Sequence, residues 1–192
     1  MSFQKSRHSI RLRRYDYSQD GWYFITTCVK NFEEIFGEIS SEGDFIPNEI
    51  GKIIEEEWLR TPVVRPNVEL DSYQIMPNHF HAIVVIGSKE ELPQITGFPD
   101  ITNLPTTFKS PVRTIGAISR GFKGASTKRI RIEITGNLEE KIWQRNYYER
   151  IIRDEAELNR IRYYIENNAK KWHEDKEYFK KLLHRMNKIE SE

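Results

Sequence analysis

Stretches of aromatic and β-branched residues recur along this 192-residue chain and predict four β-strands. The first strand is expected at residues 22–30. The next two, at residues 68–75 and 80–86, are separated only by the turn Met76-Pro77-Asn78, so they should be antiparallel neighbours. The last strand is expected at residues 141–152.

Between these stretches, apolar residues recur at the spacing of amphipathic helices. One helix is predicted at residues 48–60, with Pro62 as its stop signal. A second is predicted at residues 112–125, and a third at residues 154–168, where an acidic start has capping-box spacing. A small hairpin is expected at residues 35–45, around a polar turn that contains glycine.

The order of these elements predicts an α+β fold, with a mostly antiparallel sheet and helices packed on it. The length and the even composition suit one domain over residues 1–192. Within it we expect a basic arm at residues 1–14 and a proline-rich loop insertion at residues 87–111. An amphipathic helix is expected at the C-terminal end, at residues 172–190.

Basic residues are clustered, although the formal net charge is only +1. Residues 1–14 and 109–132 contain several lysines and arginines and no acidic residue. Such local excesses can neutralise phosphates, although a solvated surface is the alternative interpretation. The candidate DNA-binding residues are Arg7, Arg11, Arg13, Arg14, Arg113, Arg120, Lys123, Lys128 and Arg131.

Other features limit the location and the redox chemistry. The single cysteine, Cys28, lies in an apolar-rich stretch, which indicates a buried thiol and excludes a disulfide within the chain. No apolar stretch is long enough to cross a bilayer, and the N-terminus has no signal-peptide pattern. The expectation is a cytoplasmic protein without a membrane partner.

Two histidines two residues apart open a predicted strand, at His79 and His81. Side chains two apart in a strand point to the same face, so both imidazoles would converge as the ligands of a metal do. The alternative is a pair of histidines at the edge of a strand, satisfied by backbone groups or water. A metal site therefore needs partners from elsewhere in the chain.

The predicted helix at residues 154–168 can supply such partners. At about 100° per residue, Tyr164 flanks the apolar stripe, Tyr163 projects to the far side, and Asn168 lies one turn beyond Tyr164 on the same face. If this face covers the two histidines, four functional groups meet. The alternative for Tyr164 is an amphipathic residue that only covers the sheet. Five aromatic residues are candidates to stack on unpaired bases, although some of them must belong to the core: Trp22, Tyr23, Trp143, Tyr147 and Tyr148.

The motif MPNHFHAIVVI, followed downstream by Tyr-Ile-x-x-Asn on a helix, resembles the single-tyrosine HUH transposases. Within that group the segments RHSIRLRRYDY, GWYFITTC, FGEIS and IWQRNYYERIIRDEAELNRIRYYIENN are most similar to the REP-associated tyrosine transposases. The resemblance extends from about Arg7 to Trp172. Ala169 departs from it, because relatives often have proline after the asparagine; this should shift the end of the helix without removing a reactive group.

The resemblance implies a ferredoxin-like fold, a Mg²⁺ or Mn²⁺ ion, and nicking and strand transfer of single-stranded DNA at hairpins through a 5′-phosphotyrosine. It implies that His79, His81 and Asn168 are metal ligands and that Tyr164 is the nucleophile. Both a monomer and a homodimer remain open. Two other functions also remain open: a DNA-hairpin-binding protein without catalysis, and a metal-dependent phosphodiesterase that uses water.

Overall fold

The computed structural model describes residues 19–87 and 114–172. Four of the strands within these residues form one sheet, and two form a separate hairpin. The strands are β1 (Gly21–Cys28), β2 (Gly37–Ile39), β3 (Phe45–Pro47), β4 (Val68–Met76), β5 (His79–Ile86) and β6 (Tyr148–Ile152). The α-helices are α1 (Glu49–Leu59), α2 (Thr61–Val64), α3 (Ile115–Ile130) and α4 (Glu155–Glu166). Short 3-10 turns lie at Lys30–Phe32 and Ala169–Lys171, and a π-helical turn lies at Arg131–Thr135.

The order of the strands in the large sheet is β4-β5-β1-β6, and every neighbouring pair is antiparallel. Helix α1 lies on the connection from β1 to β4, and helix α3 lies on the connection from β5 to β6. In each case one other strand of the sheet separates the two connected strands. This arrangement is the split β-α-β topology of the ferredoxin-like fold. The predicted α+β class and the antiparallel sheet are therefore confirmed.

Strand β5 is buried on both faces, and the alternation of its side chains separates two environments. Phe80 points towards α1 and α3, where its ring lies 4.9 Å from that of Trp58. His79, His81 and Ile83 point to the opposite face, under α4. The period of two thus places both histidines on one side of the sheet, as the sequence predicted.

Helix α4 packs on the histidine face through a small apolar cluster. Leu158 and Ile165 of the helix contact Phe24, Ile83 and Ile152 of the sheet. Burial of one such aliphatic side chain contributes about 1.5–3 kcal/mol, so these contacts hold the helix on the sheet. The larger cluster lies on the other face, with α1 and α3.

The first half of the chain folds close to expectation. The predicted hairpin forms as β2 and β3, and α1 begins where the Asn48 side chain accepts a hydrogen bond from the amide of Gly51, at 2.9 Å. Pro62 was expected only to stop the helix. It also occupies the first turn of α2, where proline is favoured because it has no N–H to leave unpaired.

The second predicted helix is displaced towards the C-terminus. Helix α3 begins at Ile115, because the Thr114 side chain accepts a hydrogen bond from the amide of Ala117, at 3.2 Å. It extends to Ile130 and continues as the π-helical turn, so it is longer than the apolar stripe indicated. The predicted position Val112 lies outside the described residues.

The last strand is shorter than predicted. Only Tyr148–Ile152 pairs with β1, whereas residues 141–147 leave the sheet apart from one bridge between Val29 and Trp143. Trp143 turns into the core, where its ring lies 5.1 Å from that of Phe36. The carbonyls of the three residues that follow it all accept hydrogen bonds from the ammonium group of Lys123.

The basic arm at residues 1–14 lies outside the described residues. So do most of the loop predicted at 87–111 and of the helix predicted at 172–190; only Gly87 and Trp172 are described. Among the helices that are described, none has the length and hydropathy needed to cross a bilayer.

Candidate catalytic site

His79 and His81 lie side by side in the sheet. Their ring centroids are 4.6 Å apart, the rings are roughly perpendicular, and both residues are almost fully buried. Burial disfavours the imidazolium form, lowering the pKa of His79 to about 3. Burial, and then the nearby His79, holds the pKa of His81 well below its usual range. Both rings are therefore neutral at pH 7, and each has a nitrogen lone pair.

Each histidine is held through its Nδ1 atom. The Asn78 side chain meets Nδ1 of His79 through Oδ1 at 2.7 Å, and Thr26 Oγ1 meets Nδ1 of His81 at 2.7 Å. Thr26 lies directly opposite His81 in the β1–β5 register. Nε2, the second nitrogen of each ring, is therefore the candidate metal-binding atom of each histidine.

Helix α4 brings Tyr164 onto the ring of His81. Its hydroxyl oxygen lies 3.3 Å from Nε2 of His81, and its ring centroid lies 5.2 Å from that of His81. Phe24 stacks on His81 and packs edge-on against Tyr164, so it supports both side chains. Tyr164 is 41% exposed and can be reached from solvent, whereas Tyr163 projects to the outer side, as predicted.

The cap of α4 fixes where this helix begins. The Asp154 carboxylate accepts a hydrogen bond from the amide of Glu157 at 2.7 Å. The Glu157 carboxylate accepts in turn from the amide of Arg153 at 3.1 Å and from Arg150 Nε at 2.7 Å. This arrangement resembles the predicted capping box, with the reciprocal bond displaced by one residue.

Asn168 follows α4 and turns back towards His79. It is 1% exposed, and interaction with its side chain favours the protonated form of His79, partly opposing the effect of burial on the pKa. Within the described residues its carboxamide atoms make no hydrogen bond of ordinary geometry. Ala169 beside it packs with Met76 and Trp172, where the chain continues as a 3-10 turn.

The four predicted groups therefore meet at one place. In residues 19–87 and 114–172 no group of three or more His, Cys, Asp or Glu side chains is arranged to hold a metal ion, so the candidate ligands are two imidazoles and one carboxamide. Two neutral imidazoles beside a buried carboxamide that is not otherwise hydrogen-bonded fit a divalent cation that keeps further positions for water or substrate.

The predicted basic residues divide into three groups. Arg120 and Lys128 are exposed on α3. The Lys123 ammonium donates to the carbonyls of residues 144, 145 and 146 at 2.5, 3.2 and 3.4 Å, while Arg131 donates to the carbonyl of Glu140. The predicted residues that lie outside the described part of the chain are Arg7, Arg11, Arg13, Arg14 and Arg113.

A basic groove of about 580 Å³ runs between α3 and the segment that precedes β6. Lys141 and Arg145 line it opposite Lys128, and both are exposed. Sequence reasoning did not select these two residues, because it placed them in a strand.

Burial raises the pKa of the Cys28 thiol to about 11, which agrees with the expectation of an unreactive cysteine.

Thr26, Asn78 and Phe24 also belong to the site, and sequence reasoning did not select them. Thr26 and Phe24 are recognisable only once the register between β1 and β5 is known. Asn78 could have been selected from the sequence, because it is adjacent to the candidate ligand His79, and a side-chain carbonyl beside a histidine ligand commonly orients the ring.

Comparison with known proteins gives a relative and a fold. No protein-family model matches the chain. An uncharacterized protein of Haemophilus influenzae is 39% identical over 180 residues, which cover 90% of this chain and 93% of that protein. A solved REP-associated tyrosine transposase, bound to a REP hairpin, aligns with a TM-score of 0.51 and 20% identity, over 84% of this chain and 73% of that one. The chain therefore has the same fold as this transposase, and it belongs to the family of the Haemophilus influenzae protein.

Proposed function

We propose that this protein nicks single-stranded DNA and transfers the strand through a covalent link to Tyr164. His79, His81 and Asn168 would hold a Mg²⁺ or Mn²⁺ ion at the cleavage site. The observation that carries the proposal is the position of the Tyr164 hydroxyl, 3.3 Å from Nε2 of His81, in a residue that is 41% exposed.

The chemistry follows from these groups. Tyr164 loses its hydroxyl proton to solvent and its oxygen attacks phosphorus, so an O–P bond to the tyrosine forms and the bond from phosphorus to the 3′ oxygen breaks. The 3′ oxygen takes up a proton from solvent and leaves as a free 3′-hydroxyl, and the 5′ end stays on the protein. Because the phosphodiester bond is exchanged for another phosphodiester, the 3′-hydroxyl of a second strand can reverse the step without ATP. A bound divalent cation supplies charge stabilisation for the developing negative charge on phosphate oxygen.

Tyr164 is placed for attack by rigid elements. A tyrosine of ordinary pKa, near 10, is mostly protonated at neutral pH, so the attack depends on a fixed position and on loss of the proton to solvent. The packing of α4 on the sheet supplies the position, and Phe24 fixes the ring. His81 Nε2 has one lone pair, so the tyrosine hydroxyl and a cation compete for it.

Hairpin DNA is the substrate to test first. The protein of the same fold was solved with a REP hairpin. Exposed basic residues on α3 and along the groove suit the phosphates of such a substrate. Tyr148, 46% exposed at the sheet edge and packed edge-on against Phe24, suits an unpaired base.

The test is incubation with single-stranded hairpin oligonucleotides and Mn²⁺ or Mg²⁺, followed by a denaturing gel. A band shifted by covalent DNA, dependent on the metal and absent from Tyr164→Phe and His79→Ala, is expected. Tyr163→Phe is the matched control, because it removes the adjacent hydroxyl on the outer side of the same helix, and it should keep the adduct.

Other results would contradict the proposal. Tight binding without cleavage would indicate a hairpin-binding protein. Cleavage without an adduct would indicate a phosphodiesterase that uses water. An adduct that survives Tyr164→Phe would assign the nucleophile to another tyrosine.

A further inference from the structure

Asn78 occupies a position that determines which nitrogen of His79 carries the proton. It lies in the turn between β4 and β5, is 5% exposed, and its Oδ1 atom is 2.7 Å from Nδ1 of His79. A contact between an amide side chain and an imidazole is ambiguous by itself, because either group could donate.

The second contact of Asn78 removes this ambiguity. Its Nδ2 group donates to the carbonyl oxygen of Phe32 at 3.2 Å. If the amide were turned over, two oxygens would face one another there, so Oδ1 must face His79. A carboxamide oxygen only accepts hydrogen bonds, and Nδ1 of His79 must therefore carry the proton.

The surrounding backbone holds Asn78 in this orientation. The amide of Val29 donates to the carbonyl of Asn78 at 2.8 Å, and the amide of Phe36 donates to that of Pro77 at 3.1 Å. Phe32 itself has a left-handed backbone, with φ of 55°, which is strained for a phenylalanine. The hydrogen bond from Asn78 to its carbonyl is one of the interactions that offset this strain.

We infer that Asn78 is a positioning residue that fixes His79 as the Nδ1–H tautomer and so presents the lone pair of Nε2 to the site shared with His81 and Asn168. The tautomer rests on the contacts above alone. Its consequence, a preorganised ligand for a divalent cation, rests on the proposed function. Thr26 does not determine a tautomer in this way, because a hydroxyl can either donate to Nδ1 of His81 or accept from it.

The test uses the metal-free, ¹⁵N-labelled full chain and long-range ¹H–¹⁵N correlation spectra, which distinguish the two tautomers of a neutral imidazole. The signals of His79 are identified by their loss in His79→Gln. The wild type should show a protonated Nδ1. In Asn78→Leu the acceptor is gone, so a mixture of tautomers or the Nε2–H form should appear.

Two further variants complete the test. Asn78→Asp keeps an oxygen acceptor and should keep Nδ1 protonated, which also covers the case in which Asn78→Leu does not fold. Asn67→Leu is the matched control, because Asn67 is equally buried but lies before β4, at the other end of the sheet, and it should leave His79 unchanged. A protonated Nε2 with an unprotonated Nδ1 in the wild type or in Asn78→Asp would overturn the inference. An unchanged tautomer in a folded Asn78→Leu would also overturn it.

Titration with Mn²⁺ separates this inference from the proposed function. Loss of a group that orients a ligand typically weakens metal binding about 10–100-fold, which is expected for Asn78→Leu relative to Asn67→Leu. Equal affinities for these two variants would overturn the consequence drawn for the cation. A wild type with the expected tautomer and no affinity for Mn²⁺ would support the assignment of the tautomer and contradict the proposed metal dependence.

Discussion

Arg162 of α4 binds the carboxylate of Asp71 in a two-pronged contact. Its Nε atom donates to Oδ1 at 2.8 Å, and its Nη2 atom donates to Oδ2 at 2.5 Å. Asp71 lies where the pairing of β4 with β5 is irregular, between Leu70 and Tyr73. The contact thus ties the helix that carries Tyr164 to the edge of the sheet, two residues from the candidate nucleophile.

Asp71→Asn should loosen α4 over the site. The expected result is an adduct-forming rate lowered by about tenfold, the effect of a small misplacement of the reacting groups, with little change in DNA affinity. The stability loss should be only about 1 kcal/mol, because Arg162 is partly exposed. Single-turnover rates and binding titrations measure the two effects separately. Arg160→Gln, on the same helix and also exposed, is the control; an equal loss of rate in both variants would contradict this role of Asp71.

The metal-free protein should lose stability as the pH falls below about 6.5, the ordinary histidine pKa. The pKa values of His79 and His81 are lowered in the folded state, so between the folded and unfolded values only the unfolded chain binds these protons. Each histidine then adds a slope of up to about 1.4 kcal/mol per pH unit. Urea titrations at several pH values should show a shallower slope for His81→Asn; an identical slope would contradict the neutral, buried state of His81.

Removal of the Tyr164 hydroxyl should not weaken cation binding. The hydroxyl lies 3.3 Å from Nε2 of His81, where it competes with a cation for the lone pair. Tyr164→Phe should therefore bind Mn²⁺ at least as tightly as the wild type, while His81→Ala should bind it far more weakly. Isothermal titration calorimetry measures both affinities. Loss of Mn²⁺ binding in Tyr164→Phe would place the tyrosine among the ligands and contradict its assignment as the nucleophile.

Tyr148 should contribute to DNA binding by stacking. Tyr148→Ala is expected to weaken binding to single-stranded DNA by about 1–3 kcal/mol, and Tyr148→Trp should retain it, because any aromatic face can stack on a base. Fluorescence anisotropy at fixed salt measures the affinities. Tyr163→Ala removes another exposed tyrosine, on the outer side of α4, and serves as the control. Equal affinities for the two alanine variants would contradict this role.

Lys123 and Lys128 should behave differently although both lie on α3. In a plot of the logarithm of the DNA-binding constant against the logarithm of the salt concentration, Lys128→Ala should reduce the slope by about one unit, as expected for loss of one phosphate contact. Lys123→Met should lower the melting temperature, because three backbone carbonyls lose their donor, and should change the salt slope little. A reduced slope with unchanged stability for Lys123→Met would show that its ammonium group contacts phosphate instead.

Much of the site was predictable from two simple periods. The two-residue period of a strand placed His79 and His81 on one face, and the rotation of a helix separated Tyr164 from Tyr163. Both patterns are local, so they hold before any tertiary contact is known. The pairing of β4 with β5 was also predictable, because a short turn joins these two strands. The places of β1 and β6 in the sheet were not, because long connections that contain helices separate them from their neighbours in sequence.

The remaining features depend on contacts between distant parts of the chain. Thr26 reaches His81 only through the register of two strands 55 residues apart in sequence. Residues 141–147 have the composition of a strand, but Trp143 enters the core and Lys123 binds the carbonyls that follow. Local propensity was overridden there by tertiary packing, which sequence patterns do not report.

The most direct test of the account is to identify the residue that carries the DNA. Adduct formed with a hairpin oligonucleotide and Mn²⁺ should be digested with nuclease and protease, and the modified peptide sequenced by tandem mass spectrometry. Fragmentation between Tyr163 and Tyr164 distinguishes the two neighbours. The account predicts a nucleotide linked through phosphate to Tyr164. A nucleotide on Tyr163 or on any other residue would contradict it.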